Sequence, residues 1–580
     1  MNTPLNRSEY RQKAHGWRQN KSFDGIISIS PSVLKRKVEC DIEIALDAPK
    51  EIPQGTLFIC YFTECPKNQP QVKTPNDISD FMVKYKHPIM EFTNEENIPK
   101  GENIFIALQK VIPVIRTCIP KFEIFIKFPG KEFSLFAPPY IFKKETIDAE
   151  SIQLYVSQNT EGGKLRISLA AEQPQDHFYL PDENFEEIVE LELPWKKAKH
   201  KFKKSDHGII SIEENLPVSH PTSFEIGANV VSPGSNLCAH SGTIETSFFP
   251  DGEKAFFGDM HLHSNLSDGY GDPEELLKYA RGWKRLDFIA LNEHIENSLC
   301  WKMGGGKEKW AHYKTCIDKY NISGEFITIG GFEYRSFCNL WCFNDEYINE
   351  LDPVLFNGPE EEAEIYKRID GFTKRENWLV GYHRLETLYK PSILNELPSP
   401  NLLQLAHGKR PPEIGSLNFI ERGDMCGFFG ATDTHFGIPG HVFPGLPRNG
   451  QSGLTAVITS DLSRGGLYKA LKNRRCYSTM GSRHLVDFQV NGAMMGDIIR
   501  VSPLSPITIK LRAHGKEKIG RVDLVKNGIN IKTNKINNST LKIIWNDPDK
   551  FHTDCYYFVR LTLEDGRMIW TSPIWLKTSL

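Results

Sequence analysis

The feature that most constrains this chain is a series of apolar runs that each end in a metal-ligating residue. The first, Ala255-Phe256-Phe257, leads through Gly258-Asp259-Met260 into His261-Leu262-His263. Residues two apart in a strand project from the same face, so both imidazoles can reach one divalent ion. Asp268 follows in Ser267-Asp268-Gly269, a turn that can bring a carboxylate back to the same point. The theme then recurs. Residues 286–291 run into Asn292-Glu293-His294, residues 326–332 into Glu333, residues 378–382 into His383, and residues 426–431 into Asp433 and His435. One histidine at a strand end is ordinary. Five strand ends that each carry a donor point to a metal site.

Around these donors, residues 251–481 alternate strands with helices, the pattern of a parallel α/β domain. Residues 273–283 read as a helix, with Asp272 as N-cap and Pro273 at the first helical position. Polar residues at the carboxyl ends of parallel strands mark the catalytic rim of a barrel. At 580 residues the chain is too long for one ordinary core. After a polar segment, residues 1–21, residues 22–250 read as β-rich and fit one or two sandwich-like domains. Asp24-Gly25-Ile26-Ile27-Ser28-Ile29 and His207-Gly208-Ile209-Ile210-Ser211-Ile212 are alike, from a duplicated unit or a recurring short β signature. From residue 482 the β pattern returns, with a turn at Asn491-Gly492, and predicts a C-terminal β-sandwich.

Composition excludes several classes. A net charge of -3 argues against a general nucleic-acid binder. The basic run at residues 196–204 reads as a solvated loop or linker. The first residues lack the apolar core of a secretory signal, and no run of about 18 apolar residues predicts a membrane span. The 12 cysteines are scattered without zinc-finger spacing, which fits reduced thiols and a cytoplasmic protein.

The order His261-Leu262-His263, Ser267-Asp268-Gly269, Ala290-Leu291-Asn292-Glu293-His294, Gly331-Phe332-Glu333 and Ala431-Thr432-Asp433-Thr434-His435 resembles the PHP (polymerase and histidinol phosphatase) superfamily of metal-dependent phosphoesterases. The resemblance spans residues 256–479 and is similar to a branch in which sandwich modules flank the catalytic domain. It implies a central distorted (β/α)7 barrel between all-β domains, with two or three Mn, Zn or Fe ions. It also implies that His261, His263 and Glu333 hold one ion, with Glu333 bridging. Asp268, His294 and Asp433 then belong to a neighbouring site, and His383 and His435 complete the cluster.

Two departures carry expectations of their own. Asn292-Glu293-His294 stands where the family commonly has Thr-Asp-His, and Glu293 is expected to orient His294. No histidine lies between Glu333 and His383. Cys338 is the candidate replacement, as a thiolate favouring zinc or as a small buried thiol beside the site.

The chemistry expected is attack by a metal-bridging hydroxide on a small phosphomonoester or phosphodiester. Glu333 and Asp433 head the catalytic set. Arg335 and Arg384 are candidate anion contacts or salt-bridge residues, and His441 is a candidate proton donor to the leaving group or a loop histidine. Gly304-Gly305-Gly306 is expected to form a mobile loop over the site or an ordinary surface turn. The alternatives are an amidohydrolase cutting C–N bonds, for which no carboxylated-lysine candidate is evident, and a non-catalytic binding protein with a vestigial barrel.

Overall fold

Alternating β-branched and aromatic runs dominate this chain, and strands dominate its fold: strand accounts for 51% and helix for 14%, with five short α-helices among the described residues. In the computed structural model the described residues run from 23 to 579. Outside them lie residues 31–32, 35–39, 63–67, 69, 74–80, 87–88, 112–120, 138–139, 142, 145–148, 158–162, 175–178, 183, 246, 268, 270, 295–305, 335–336, 345–361, 384, 386–393, 407–412, 436 and 442–452. No described helix is long and apolar enough to cross a membrane. The described cysteines are free thiols.

One compact unit comprises residues 1–147 and 299–309. Ile26–Ser30, Cys40–Asp47, Asn103–Val111 and Gln71–Lys73 form one antiparallel sheet. Leu57–Phe62 anchors the other, between Ile89–Asn94 and Lys121–Lys127. Alternation supplies the core: Ile42, Ile44 and Leu46 point inward while Asp41 and Glu43 are exposed. These residues meet Phe58, Phe92, Ile124 and Ile126 of the second sheet in one apolar cluster, a sandwich.

The second unit comprises residues 148–298 and 310–580. It opens with another two-sheet core, in which Ile152, Leu165 and Ile167 pack with Val189, Leu191 and Ile226. Here the basic run departs from the expected linker. Lys196–Lys201 is an edge strand antiparallel to Ile188–Leu193, and Lys197 Nζ lies 2.5 Å from Glu192 Oε1 and 3.4 Å from Glu190 Oε1. Acidic partners on the neighbouring strand explain a lysine-rich edge, which also discourages pairing with other chains.

The donor-bearing region contains β1 (Lys254–Asp259), α1 (Pro273–Lys278), β2 (Phe288–His294), α2 (Gly306–Lys319), β3 (Ile327–Tyr334), β4 (Cys338–Cys342), α3 (Glu362–Lys374), β5 (Trp378–Tyr382), β6 (Leu402–Ala406), α4 (Glu413–Glu421), β7 (Gly427–Gly430), β8 (Leu454–Thr459), α5 (Arg464–Lys472) and β9 (Cys476–Thr479). The expectation of a (β/α)7 barrel is corrected here. The fold is β-rich and its central sheet is mixed. β1–β2, β2–β3, β5–β6 and β6–β7 pair in parallel, but β3–β4, β4–β5, β1–β8 and β8–β9 pair antiparallel. The reason is chain length. Parallel neighbours need a crossover of about a dozen residues, and the short connection between Tyr334 and Cys338 permits only a hairpin.

No break separates this sheet from the C-terminal strands, because β9 pairs antiparallel with Met568–Thr571. The turn predicted at Asn491-Gly492 is present, with φ of 50° and 84°, and joins Leu485–Val490 to Ala493–Met494. A long hairpin, Thr508–Lys526 with Ile529–Asn546, turns at Asn527-Gly528 in the same way. Val486, Phe488, Leu511, Val559 and Ile574 share one core there.

Candidate metal centre

The donors converge because of strand alternation. Phe288 and Ala290 of β2, Ile327 and Ile329 of β3, Trp341 of β4 and Leu379 of β5 belong to one apolar core. Continuing each strand in steps of two from those residues reaches Asn292 and His294, Glu333, Asn339 and His383. The apolar layer therefore floors a polar cluster. His261 and His263 follow β1 in an extended segment held from both sides. Asn292 N–H donates to the Leu262 carbonyl at 2.8 Å, Asp433 N–H to the His261 carbonyl at 2.7 Å, and His263 N–H to the Thr434 carbonyl at 3.1 Å.

Four donor atoms, from His261, His263, Glu333 and Asp433, lie within 4.8 Å of one another on buried side chains. His261 Nε2 is 3.2 Å from His263 Nε2, 3.2 Å from Glu333 Oε2 and 3.4 Å from Asp433 Oδ1. His263 Nε2 is 3.1 Å from each of the same two oxygens. A tetrahedral ion with bonds of about 2.05 Å separates its ligand atoms by about 3.3 Å. Five of the six edges of this donor set are thus already at the right length. The residues fit a divalent ion.

A second group, His263, His294 and His435, shares a residue with the first. His294 Nδ1 lies 3.3 Å from Glu333 Oε2, and His435 Nδ1 lies 3.8 Å from Asp433 Oδ1. The fully buried His383 places Nε2 3.0 Å from the other oxygen, Glu333 Oε1. Glu333 therefore joins all the rings except His435, one oxygen facing His261, His263 and His294 and the other His383. Side chains of His294 and His435 are 20% and 27% exposed, so the cluster opens to solvent on their side.

Electrostatics are as expected of carboxylates packed among imidazoles. Burial opposes a charge on His263, but Asp433 and Glu333 outweigh it and hold its pKa well above the usual range. Burial likewise pushes Glu333 up, yet His383, His261 and His263 outweigh it and hold the carboxyl well below its ordinary value. Asp433 sits at φ 48°, a left-handed conformation uncommon outside glycine, asparagine and aspartate.

Of the residues expected from sequence, the structure brings together His261, His263, His294, Glu333, His383, Asp433 and His435. Asp268, Arg335 and Arg384 lie outside the described residues, as do Gly304 and Gly305; Gly306 begins α2. Cys338 is buried but belongs to neither donor group, and its neighbour Asn339 projects to the opposite face, toward the histidines. His441 is buried in the following loop, with Nδ1 2.9 Å from the Ile438 carbonyl, and is in neither group. Glu293 does not orient His294, because adjacent strand residues face opposite ways. It accepts instead from Ser264 N–H at 3.1 Å, from Ser264 Oγ at 2.5 Å and from Ser267 Oγ, fixing the loop after the histidine pair.

Sequence reasoning missed the supporting residues. Asp259 accepts from Thr432 Oγ1 at 2.5 Å, Thr432 N–H at 3.0 Å and Gly440 N–H at 3.0 Å, which ties the first donor segment to the last. Burial raises its pKa despite these bonds. Gln404 donates to the carbonyls of Ala406 and Ala431, each at 3.3 Å, which turns its oxygen toward His261 Nδ1 at 3.4 Å. The signal for both was a polar residue set inside an apolar strand sequence.

No family model matches the chain. It is similar to an uncharacterized protein of Chlamydia trachomatis serovar D, 28% identical over 366 residues that cover 55% of this chain and 57% of that one. Uncharacterized proteins of Chlamydia muridarum and Chlamydia pneumoniae are each 23% identical over 362 residues, with the same coverage. The matched region thus spans a little over half the length of these relatives. Among solved structures, a cohesin module from a Clostridium perfringens family 33 glycoside hydrolase covers 21% of this chain and 97% of its own, at 8% identity and a TM-score of 0.16. That likeness is too slight to bear on fold or function.

Proposed function

We propose that this protein is a metal-dependent hydrolase, and that its substrate is a small phosphomonoester or phosphodiester. The carrying observation is the tetrahedral spacing among His261, His263, Glu333 and Asp433 beside a second imidazole group that shares His263. Two or three divalent ions of the Mn, Zn or Fe kind suit mixed imidazole and carboxylate donors. When bound, they supply Lewis acidity and a water acidic enough to ionise near neutral pH.

The chain's own residues do the rest. Glu333 holds the rings of His261 and His263 with one oxygen and that of His383 with the other, so the donors stay registered through turnover. His294 and His435 face the open side, where a substrate anion enters. Floor residues such as Trp341 and Phe429 exclude water from below. The motif order that resembles the PHP superfamily supports phosphate esters over C–N bonds.

The test is a screen of phosphate mono- and diesters, supplemented with Mn or Zn, on the wild type and Asp433→Ala. Hydrolysis by the wild type that falls at least a hundredfold in Asp433→Ala supports the reading. A wild type that takes up no transition metal and cleaves no ester overturns it.

A further inference from the structure

Asn339 is fully buried, and its position follows from hairpin register, since it lies directly opposite Glu333 on β4. Its Nδ2 is 3.3 Å from His261 Nδ1 and 3.2 Å from His383 Nδ1. It thus touches the non-clustered nitrogen of two rings whose Nε2 atoms face the two different oxygens of Glu333. Its Oδ1 accepts from Asn292 Nδ2 at 2.9 Å, and Asn292 Oδ1 accepts from Trp341 Nε1 at 3.3 Å. Room for this chain of amides comes from Gly331, where a Cβ would stand 3.2 Å from Asn292 Nδ2 and 3.0 Å from Trp341.

A neutral imidazole carries one N–H, and a partner at one ring nitrogen decides which nitrogen keeps the proton. With Nδ2 inward, Asn339 donates into both Nδ1 lone pairs, and the ring protons sit on Nε2 against Glu333. A half-turn of the amide presents oxygen, which accepts Nδ1–H from both rings and leaves both Nε2 atoms as lone pairs for a metal; it also swings Asn339 Nδ2 toward Asn292 Nδ2, so Asn292, pinned by Trp341, opposes it. Gln404 oxygen already favours that second state at His261.

We infer that Asn339 is a positioning residue that sets the tautomers of His261 and His383 together, with Asn292 acting through it, and thereby controls metal uptake by the whole donor cluster. The inference rests on the metal reading above. Outer partners of this kind typically change metal affinity by about 10- to 100-fold.

The experiment is competitive titration of the full chain with Zn or Mn, with bound metal counted per chain and thermal unfolding of metal-free protein as the folding control. Asn339→Leu keeps shape but offers no hydrogen bond, and affinity should fall about 10- to 100-fold. Asn339→Asp, which presents oxygen to both rings, should bind at least as tightly as wild type. Asn292→Leu, which frees that half-turn, should tighten binding alone but change nothing in an Asn339→Leu background.

Wild-type affinity in a folded Asn339→Leu protein, or independent multiplication of the Asn292 and Asn339 effects, overturns the inference while leaving the metal reading intact. Loss in Asn339→Asp equal to that in Asn339→Leu also overturns it. A wild type that binds no metal removes both.

Discussion

Two donor clusters in the second unit invite comparison. One is the buried set around Glu333. The other is Asp272, His312 and Cys316, whose ligand atoms also lie within 4.8 Å of one another. On proximity alone they are equals, yet their surroundings differ. Asp272 is the N-cap of α1: its Oδ1 accepts Glu274 N–H at 2.9 Å, while its own N–H donates to Glu275 at 3.1 Å. His312 on α2 meets both oxygens of that cap, at 3.0 and 2.8 Å, and ties the two helices together. Burial pushes the Cys316 thiol up to about 11, with Asp272 and Glu274 adding to the effect, so it is not a thiolate near neutral pH. Around Glu333, by contrast, the rings of His261 and His383 meet buried amides on their outer side. A metal site is distinguished by what holds the donors, not by their number.

The comparison can be broken in several ways. The largest effect is expected from His261→Ala, which removes one corner of the tetrahedral set. It should lose at least one bound ion per chain and at least a hundredfold in ester hydrolysis, measured by elemental analysis and initial rates. Next comes Gln404→Leu, which deprives His261 Nδ1 of its oxygen partner and should weaken metal binding about 10- to 100-fold. An unchanged dissociation constant would show that the amides around the cluster are incidental.

Cys316→Ser and His312→Ala should leave metal content unchanged, and a lost ion in either variant would make the second cluster a site after all. Asp272→Ala should cost about 1 kcal/mol in chemical unfolding through the lost cap. The smallest effect belongs to Glu274. Lys319, Lys278 and Tyr320 hold its carboxyl at about 2. A folded pKa below the unfolded value of about 4.3 gives a contribution that is complete above that pH and lost as pH falls toward 2. Because the group is only partly buried and open to solvent, Glu274→Gln should shift the unfolding midpoint by only about 1 °C, less at high salt, and should flatten its dependence on pH below 4.5.

How far these features were legible depends on what each one rests on. His261, His263, His294, Glu333, His383, Asp433 and His435 were visible because donors at strand ends are a local pattern, and alternation puts them on one face. The Asn491-Gly492 turn and the Asp272 cap were legible for the same reason. The barrel was not: alternating strands and helices imply parallel pairing, but the short link to β4 forces a hairpin and makes the sheet mixed. Cys338 stood out for its chemistry, as a thiolate or a small buried thiol, whereas Asn339 came into view only through the hairpin register that sets it opposite Glu333. The run at residues 196–204 is solvated, as expected, but it read as a loop or linker because its strand neighbour and glutamate partners lie elsewhere in the chain.

By itself the sequence determined the strand-rich character of the chain, the apolar floor and the identity of the donors, since these follow from periodicity and side-chain chemistry along one segment. Tertiary structure alone decided which strands run against each other and which neutral amides meet the rings. It also decided that Glu333 meets four of the five rings, while His263 is the residue shared by the two donor groups. Those outcomes depend on contacts between residues far apart in the chain, and no local pattern encodes the register that creates them.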